Sequence, residues 1–324
     1  MSTIRTTSYL RNKFSNFFHT LLLLGVMILL LAFVGWIIGG SDGLWMLAIF
    51  GAVFFLFSPH LSPQFIMRLY RARPLARPEA PLLYDMVMEL SERAGLNHVP
   101  MLYYVPTSVM NAFSVGTRSR SAIGVTDGLI RNLNQRELFG VLAHEMSHIA
   151  HNDLRVMAMA DMISRVTHIL SLFGQLLLFF NLPMLLLGQV TISWLLIFVL
   201  IFAPTISALL QLALSRTREY DADLDAVRIT GDPRGLAAAL AKMEELQTGF
   251  WERIFMPGRR VPHPSILRTH PDTEERIRRL LELEAKPVEK EYHPGFAEQD
   301  YLEDVPSSEF SHKPPRWHIT GLWY

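Results

Sequence analysis

A mostly α-helical integral membrane protein, with four transmembrane helices and an aqueous α+β domain holding a small β-sheet, is expected from three features of this chain. Half of its 324 residues are hydrophobic, and they gather into long runs instead of spreading evenly. Basic residues flank those runs on one side only. Between the second and third runs lies a stretch of mixed helix and strand periodicity that carries His144-Glu145-Met146-Ser147-His148.

The runs come in two pairs. Phe17 to Gly39 is nearly uncharged, too long for the apolar core of a signal peptide and without a small-residue cleavage site, so it is expected to be a retained span. Leu44 to Phe57 is short for a span of about 20 residues unless Asp42, Gly43 and Ser58 sit among headgroups. Met162 to Phe180 and Thr191 to Leu214 form the second pair, with a turn expected at Asn181-Leu182-Pro183. Arg5, Arg11 and Lys13 precede the first span; Arg68, Arg71, Arg73 and Arg77 follow the second; Arg216 and Arg218 follow the fourth. The two remaining connections carry no Lys or Arg, so the positive-inside rule puts both termini and the His144–His148 segment in the cytoplasm. At the entry to the third span, Asp161 and Arg165 have the spacing of an ion pair on one helix face.

The expected division is therefore 1–57 for the N-terminal segment and first hairpin, 58–161 and 215–286 for two halves of one aqueous domain, 162–214 for the second hairpin, and 287–324 for a tail. In the first half, Ala80 to Gly95 has an amphipathic helical pattern with Gly95 as its stop. Val99 to Val105 is strand-forming, and Ala112 to Gly116 with Ala122 to Thr126 makes a hairpin. Asn134 and Glu137 have the spacing of a helix cap, and no Gly or Pro interrupts Val141 to Asp161, so one unbroken helix is expected there. In the second half, helix continues from Ser215 to Ile229, Asp232-Pro233 caps Arg234 to Leu246, and Pro271 opens a helix through Leu283. The tail has no periodicity and ends in the aromatic stretch Arg316 to Tyr324.

The chemistry lies in the HExxH pattern. On a helix, His144 and His148 stand about 40° apart around the axis and roughly 6 Å along it, so both imidazoles reach one metal. Glu145 beside them is placed to take a proton from water as that water attacks a carbonyl. His151, a further turn along an unbroken helix, is out of reach and is expected to be an ordinary polar residue. A hydrolytic zinc site needs a third protein ligand, and Arg218-Glu219-Tyr220-Asp221-Ala222-Asp223 supplies candidate carboxylates.

Four ordered motifs carry a family resemblance: Asn111-Ala112-Phe113-Ser114, Ala143 to His148, the Arg-Glu-Tyr-x-Ala-Asp segment, and Thr269-His270-Pro271-x-Thr273-x-x-Arg276. With these, the chain to about Leu283 resembles the HtpX-type membrane zinc endopeptidases, relatives of the CAAX prenyl protease. The resemblance implies a gluzincin-like metalloprotease domain with one zinc ion held by His144, His148 and Glu219. It implies that Asp223 holds a zinc-binding histidine by its other ring nitrogen, and that His270 and Arg276 steady the oxyanion. It also implies that Asn111, Ala112, Phe113 and Ser114 form an edge strand on which the substrate backbone is laid. Relatives often carry Ala where Ser114 stands. The implied protein is an endopeptidase of the bacterial inner membrane, acting on membrane proteins or misfolded chains in quality control. CAAX-type processing and a non-catalytic membrane scaffold are the alternatives.

Composition narrows the rest. With no cysteine, disulfides, thiolate metal sites and a cysteine nucleophile are excluded, so a metal must use nitrogen and oxygen ligands. Thirty basic against thirty acidic residues give no reason to expect nucleic acid as a partner, and no GxGxxG or P-loop supports a nucleotide. The expected partners are polypeptide substrates and the lipid bilayer.

Overall fold

The structure is a computed structural model that describes residues 6–57, 63–188, 194–255 and 273–283. Thr191, Thr269, His270, Pro271 and the tail, on which expectations also fall, lie outside the described residues. Among those described, three helices are long and apolar enough to cross a membrane.

The first of them, α1 (Thr6–Phe57), is not straight: Gly39 and Gly40 leave helical geometry, and Gly40 sits at φ 57°, where a side chain would be strained. The chain folds back at this point. A Cβ on Gly43 would lie 2.2 Å from the carbonyl oxygen of Gly35, whereas residues eight apart on a straight helix are about 12 Å apart. Two glycines thus permit the close approach of two arms. The other long helices are α6 (Asp153–Leu186) and α7 (Trp194–Thr230). Met27 of the first arm is buried with Ala160, Ile163 and Leu214, and Val34 with Leu200 and Ala203, so the first arm, α6 and α7 form one bundle. The turn expected at Asn181-Leu182-Pro183 is absent: α6 runs through Pro183 and ends at Leu186, before Gly188 in left-handed geometry. The Asp161–Arg165 ion pair is present on the exposed face of α6, at 2.6 Å.

Outside the three long helices lies a sheet of order β1-β2-β4-β3, made of β1 (Arg73–Pro74), β2 (Met101–Val105), β3 (Ala112–Thr117) and β4 (Arg120–Thr126). The β3–β4 hairpin is antiparallel and closes at Thr117–Arg120, while β2 runs parallel to β4. Among the described residues β3 is therefore an edge strand. Its alternation splits cleanly, with Ala112 packed in the main core, and Phe113 and Val115 packed on the opposite face with Met67 of the short helix α2 (Pro63–Leu69).

The main core lies between the sheet and α3 (Pro81–Arg93), α5 (Gln135–His151), α7, α8 (Pro233–Phe255) and α9 (Thr273–Glu282). Leu90, Leu102, Ile123, Leu142 and Met146 are fully buried there, each side chain contributing about 1.5–3 kcal/mol of apolar burial. A six-residue helix, α4 (Asp127–Asn132), leads from the sheet to α5. Asn134 and Glu137 cap α5 reciprocally, and Asp232 caps α8 by accepting from the N–H groups of Arg234 and Gly235. Gly140 lets α5 touch α8: a Cβ there would lie 2.8 Å from the backbone nitrogen of Leu236.

Candidate metal centre

α5 ends sooner than its sequence suggests. Asn152 adopts the left-handed conformation at φ 55°, the chain turns, and α6 begins at Asp153. Asn tolerates this geometry better than other residues with a side chain, and its side-chain oxygen accepts a hydrogen bond from the N–H of Arg118. The expected unbroken helix from Val141 to Asp161 is thus corrected to two helices. The turn has a chemical result. On a continuous helix Asp153 would point about 140° away from His148; here its Oδ2 accepts from Nδ1 of His148 at 2.8 Å.

His144 and His148 present their Nε2 atoms to each other at 3.2 Å. Glu219, from α7, places Oε2 3.4 Å from His144 Nε2 and Oε1 3.7 Å from His148 Nε2. Ligand atoms on a tetrahedral zinc with bonds of ~2.0–2.1 Å stand about 3.3 Å apart. The three side chains fit one such ion, and theirs is the one such three-residue group among the described residues, with ligand atoms all within 4.8 Å of one another. Their chemistry also fits, being two imidazoles and one carboxylate with no thiolate.

Asp223, one turn beyond Glu219 on α7, lies with Oδ1 3.0 Å from Nδ1 of His144, close but off the line of a directed hydrogen bond. Arg276 of α9 grips Asp223 with two hydrogen bonds of 2.7 and 2.6 Å and reaches Glu219 Oε2 at 3.2 Å. All three are buried. Burial pushes Asp223 up, but Arg276 and His144 outweigh it and hold the carboxyl below its usual range. Burial likewise disfavours charge on His144, yet Asp223 and Glu219 beside it raise its pKa to about 10. The pocket is a field built for positive charge, which a bound cation would also satisfy.

Glu145 is buried on α5 beside His144, within electrostatic reach of Arg276. His151 points elsewhere, with Nε2 3.2 Å from Asp225 Oδ2. Asn111 lies at the start of the edge strand, where its carbonyl accepts from the N–H of Thr126. Antiparallel alternation then turns the backbone groups of Ala112 and Ser114 away from β4, toward the side with no strand among the described residues. The Phe113 ring does not face that site; it lies across Gly124 and against Tyr70, with ring centres 4.7 Å apart.

Two neighbours of the centre escape a reading of spacing alone. Asp153 is one, and Arg218 is the other, donating from Nε to Asp153 Oδ1 at 2.8 Å. The available signal was Asn152, a left-handed-tolerant residue directly before an aspartate.

Residues 79–284 match the family model described as peptidase family M48. The chain is 34% identical over 285 residues to a protein described as "Protease HtpX homolog" from Paraburkholderia phytofirmans, covering 83% of this chain and 97% of that one. It is 36% identical to the proteins of the same description from Persephonella marina (82% and 96% covered) and Pyrococcus furiosus (82% and 95%). A crystal structure of S. mikatae Ste24p aligns over 85% of this chain and 66% of that one, at 20% identity and a TM-score of 0.45.

Proposed function

Because the chain belongs to peptidase family M48 and is a membrane-bound metalloprotease, we propose that it is a zinc endopeptidase that cleaves membrane proteins or misfolded chains at the bilayer surface. The observation that carries this is the convergence of His144, His148 and Glu219 from two helices of different halves of the chain.

Those three side chains would hold the ion. When bound, zinc supplies Lewis acidity, polarising the scissile carbonyl and making water more acidic. Glu145 accepts the proton of the attacking water and returns it to the leaving amine. Asp223 and Asp153 sit behind His144 and His148 and fix their rings. Arg276 neutralises Asp223 and Glu219, and its remaining donor capacity, with His270, steadies the oxyanion. Residues 111–114 offer a strand edge to the substrate backbone through Ala112 and Ser114, while Phe113 supports the edge from behind.

In this reading α1 crosses the bilayer twice, because its fold at Gly39–Gly40 returns the chain to the side on which it entered, making four spans with α6 and α7. Segments 58–161 and 215–286 are then two halves of one cytoplasmic protease domain with both termini on that side, in an inner membrane. The short helical distance from Glu219 to the apolar part of α7 ties the site to the membrane surface and favours substrates presented there.

The test is purified protein with its zinc content measured and casein cleavage and self-cleavage compared for wild type and Glu145→Gln. Zinc should persist in the variant while turnover vanishes; full turnover would remove Glu145 from the mechanism. Reconstituted enzyme that cleaves soluble unfolded protein freely and spares every membrane substrate would end the substrate proposal.

A further inference from the structure

Lys13 precedes the first apolar arm and belongs by sequence to the basic flank expected among lipid headgroups. Its side chain is instead largely withdrawn from solvent, at 27% exposure, and is turned into the protein. Nζ lies 3.1 Å from Asp221 Oδ2, contacts Asp225 Oδ2, and stands 3.3 Å from Nε2 of His151. Asp221 and Asp225 are buried at 3% and 1% exposure, one turn apart on α7, where a cation must offset their desolvation.

From Lys13 an unbroken chain of polar contacts leads to a proposed metal ligand. Arg218 joins Asp221 at 3.0 Å through Nη1 and Asp153 at 2.8 Å through Nε, and Asp153 accepts from Nδ1 of His148 at 2.8 Å. A second route enters the end of α5, because His151 lies against both Lys13 and Asp225 while its Nδ1 is 3.0 Å from the carbonyl of Ser147.

We propose that Lys13 is a positioning residue for the hydrolytic centre: from the membrane-entry end of the first arm it clamps Asp221 and Asp225, and through Arg218 and Asp153 it fixes the ring of His148. The first arm is thereby a working part of the protease and not only an anchor. Lys13 touches neither substrate nor metal, so its loss acts on metal retention and on turnover rather than on substrate binding. This rests on the assignment of His148 and Glu219 as ligands.

The experiment compares full-length wild type, Lys13→Met, Lys13→Arg and Lys242→Met in detergent. Lys242 is a fitting control, since it pairs with Glu137 at 3.1 Å near the other end of α5, with no such chain to a ligand among the described residues. Zinc release to a chelator is followed alongside kcat, KM and the thermal midpoint. Lys13→Met should release zinc about 10–100-fold faster and lose kcat on a similar scale, with KM little changed, as expected when support behind a ligand is removed. Lys13→Arg should restore most of both, and Lys242→Met should alter neither beyond about threefold. Zinc release from Lys13→Met at the wild-type rate would overturn the proposal, as would equal effects from Lys242→Met. Should Lys13→Met fail to fold, Lys13→Gln takes its place: zinc release faster than wild type with KM little changed upholds the clamp, and release at the wild-type rate overturns it. Wild type that holds no zinc at all would instead remove the ligand assignment beneath it.

Discussion

The two carboxylate faces of α7 are alike in sequence and different in use. Glu219 and Asp223 form one pair at i and i+4, and Asp221 and Asp225 form another, displaced by two residues and so turned about 200° around the helix. All four are buried. The first pair meets two imidazoles and the guanidinium of Arg276; the second meets Lys13, His151, Arg218 and Arg228. Neither burial nor spacing separates a face suited to a metal from one suited to an ammonium group. The difference comes from what the neighbouring elements bring: α5 presents two lone pairs aimed at one point, whereas the first arm presents a charge already carried by a side chain.

The largest expected effect separates these faces. Glu219→Gln should strip zinc and abolish cleavage, whereas Asp225→Asn should keep stoichiometric zinc and lose no more than about tenfold in kcat, since Asp221 still holds Lys13. Equal loss of metal from both would mean that the faces are equivalent. Next, Asp153→Asn and Asp223→Asn should each weaken zinc affinity by about 10–100-fold in chelator competition, although one acts on His148 and the other on His144. A silent Asp153→Asn would leave the metal face dependent on α7 alone.

Smaller effects probe the frame that both faces share. Gly140→Ala forces a methyl group against the backbone of Leu236 and should cost about 1–3 kcal/mol in thermal unfolding without selectively changing either face. The smallest belongs to Asp232, a carboxylate outside both faces. Burial raises its pKa, but Arg136 and the N–H groups of Gly235 and Arg234 outweigh this and depress it. Its stabilisation is therefore complete above the unfolded value of about 3.9 and fades as pH falls through the lower folded value. Asp232→Ala should cost about 1 kcal/mol at pH 7 and flatten that acid limb of the stability curve.

Much of this was legible in the chain. The α5 cap, the hairpin, the Gly95 stop and the facing of His144 and His148 are local, each set within a few residues by hydrogen bonding or helical period. The assignment of Glu219 and Asp223 needed the family resemblance, because nothing in their own spacing distinguishes them from Asp221 and Asp225. Arg276 was visible as a motif position, but not its fork on Asp223. The turn expected at Asn181-Leu182-Pro183 does not form because Pro183 marks a turn only where its neighbours do not sustain the helix around it.

What the amino acids settled locally is the pair of imidazoles with a carboxylate between them, since helical geometry over one turn leaves no other arrangement. Three things waited on packing: the left-handed step at Asn152 that swings Asp153 behind His148, the approach of Glu219, and the docking of Lys13 on buried acids more than 200 positions away. The last two join segments whose separation is fixed only when the bundle closes, and no local rule of spacing can set a distance between helices.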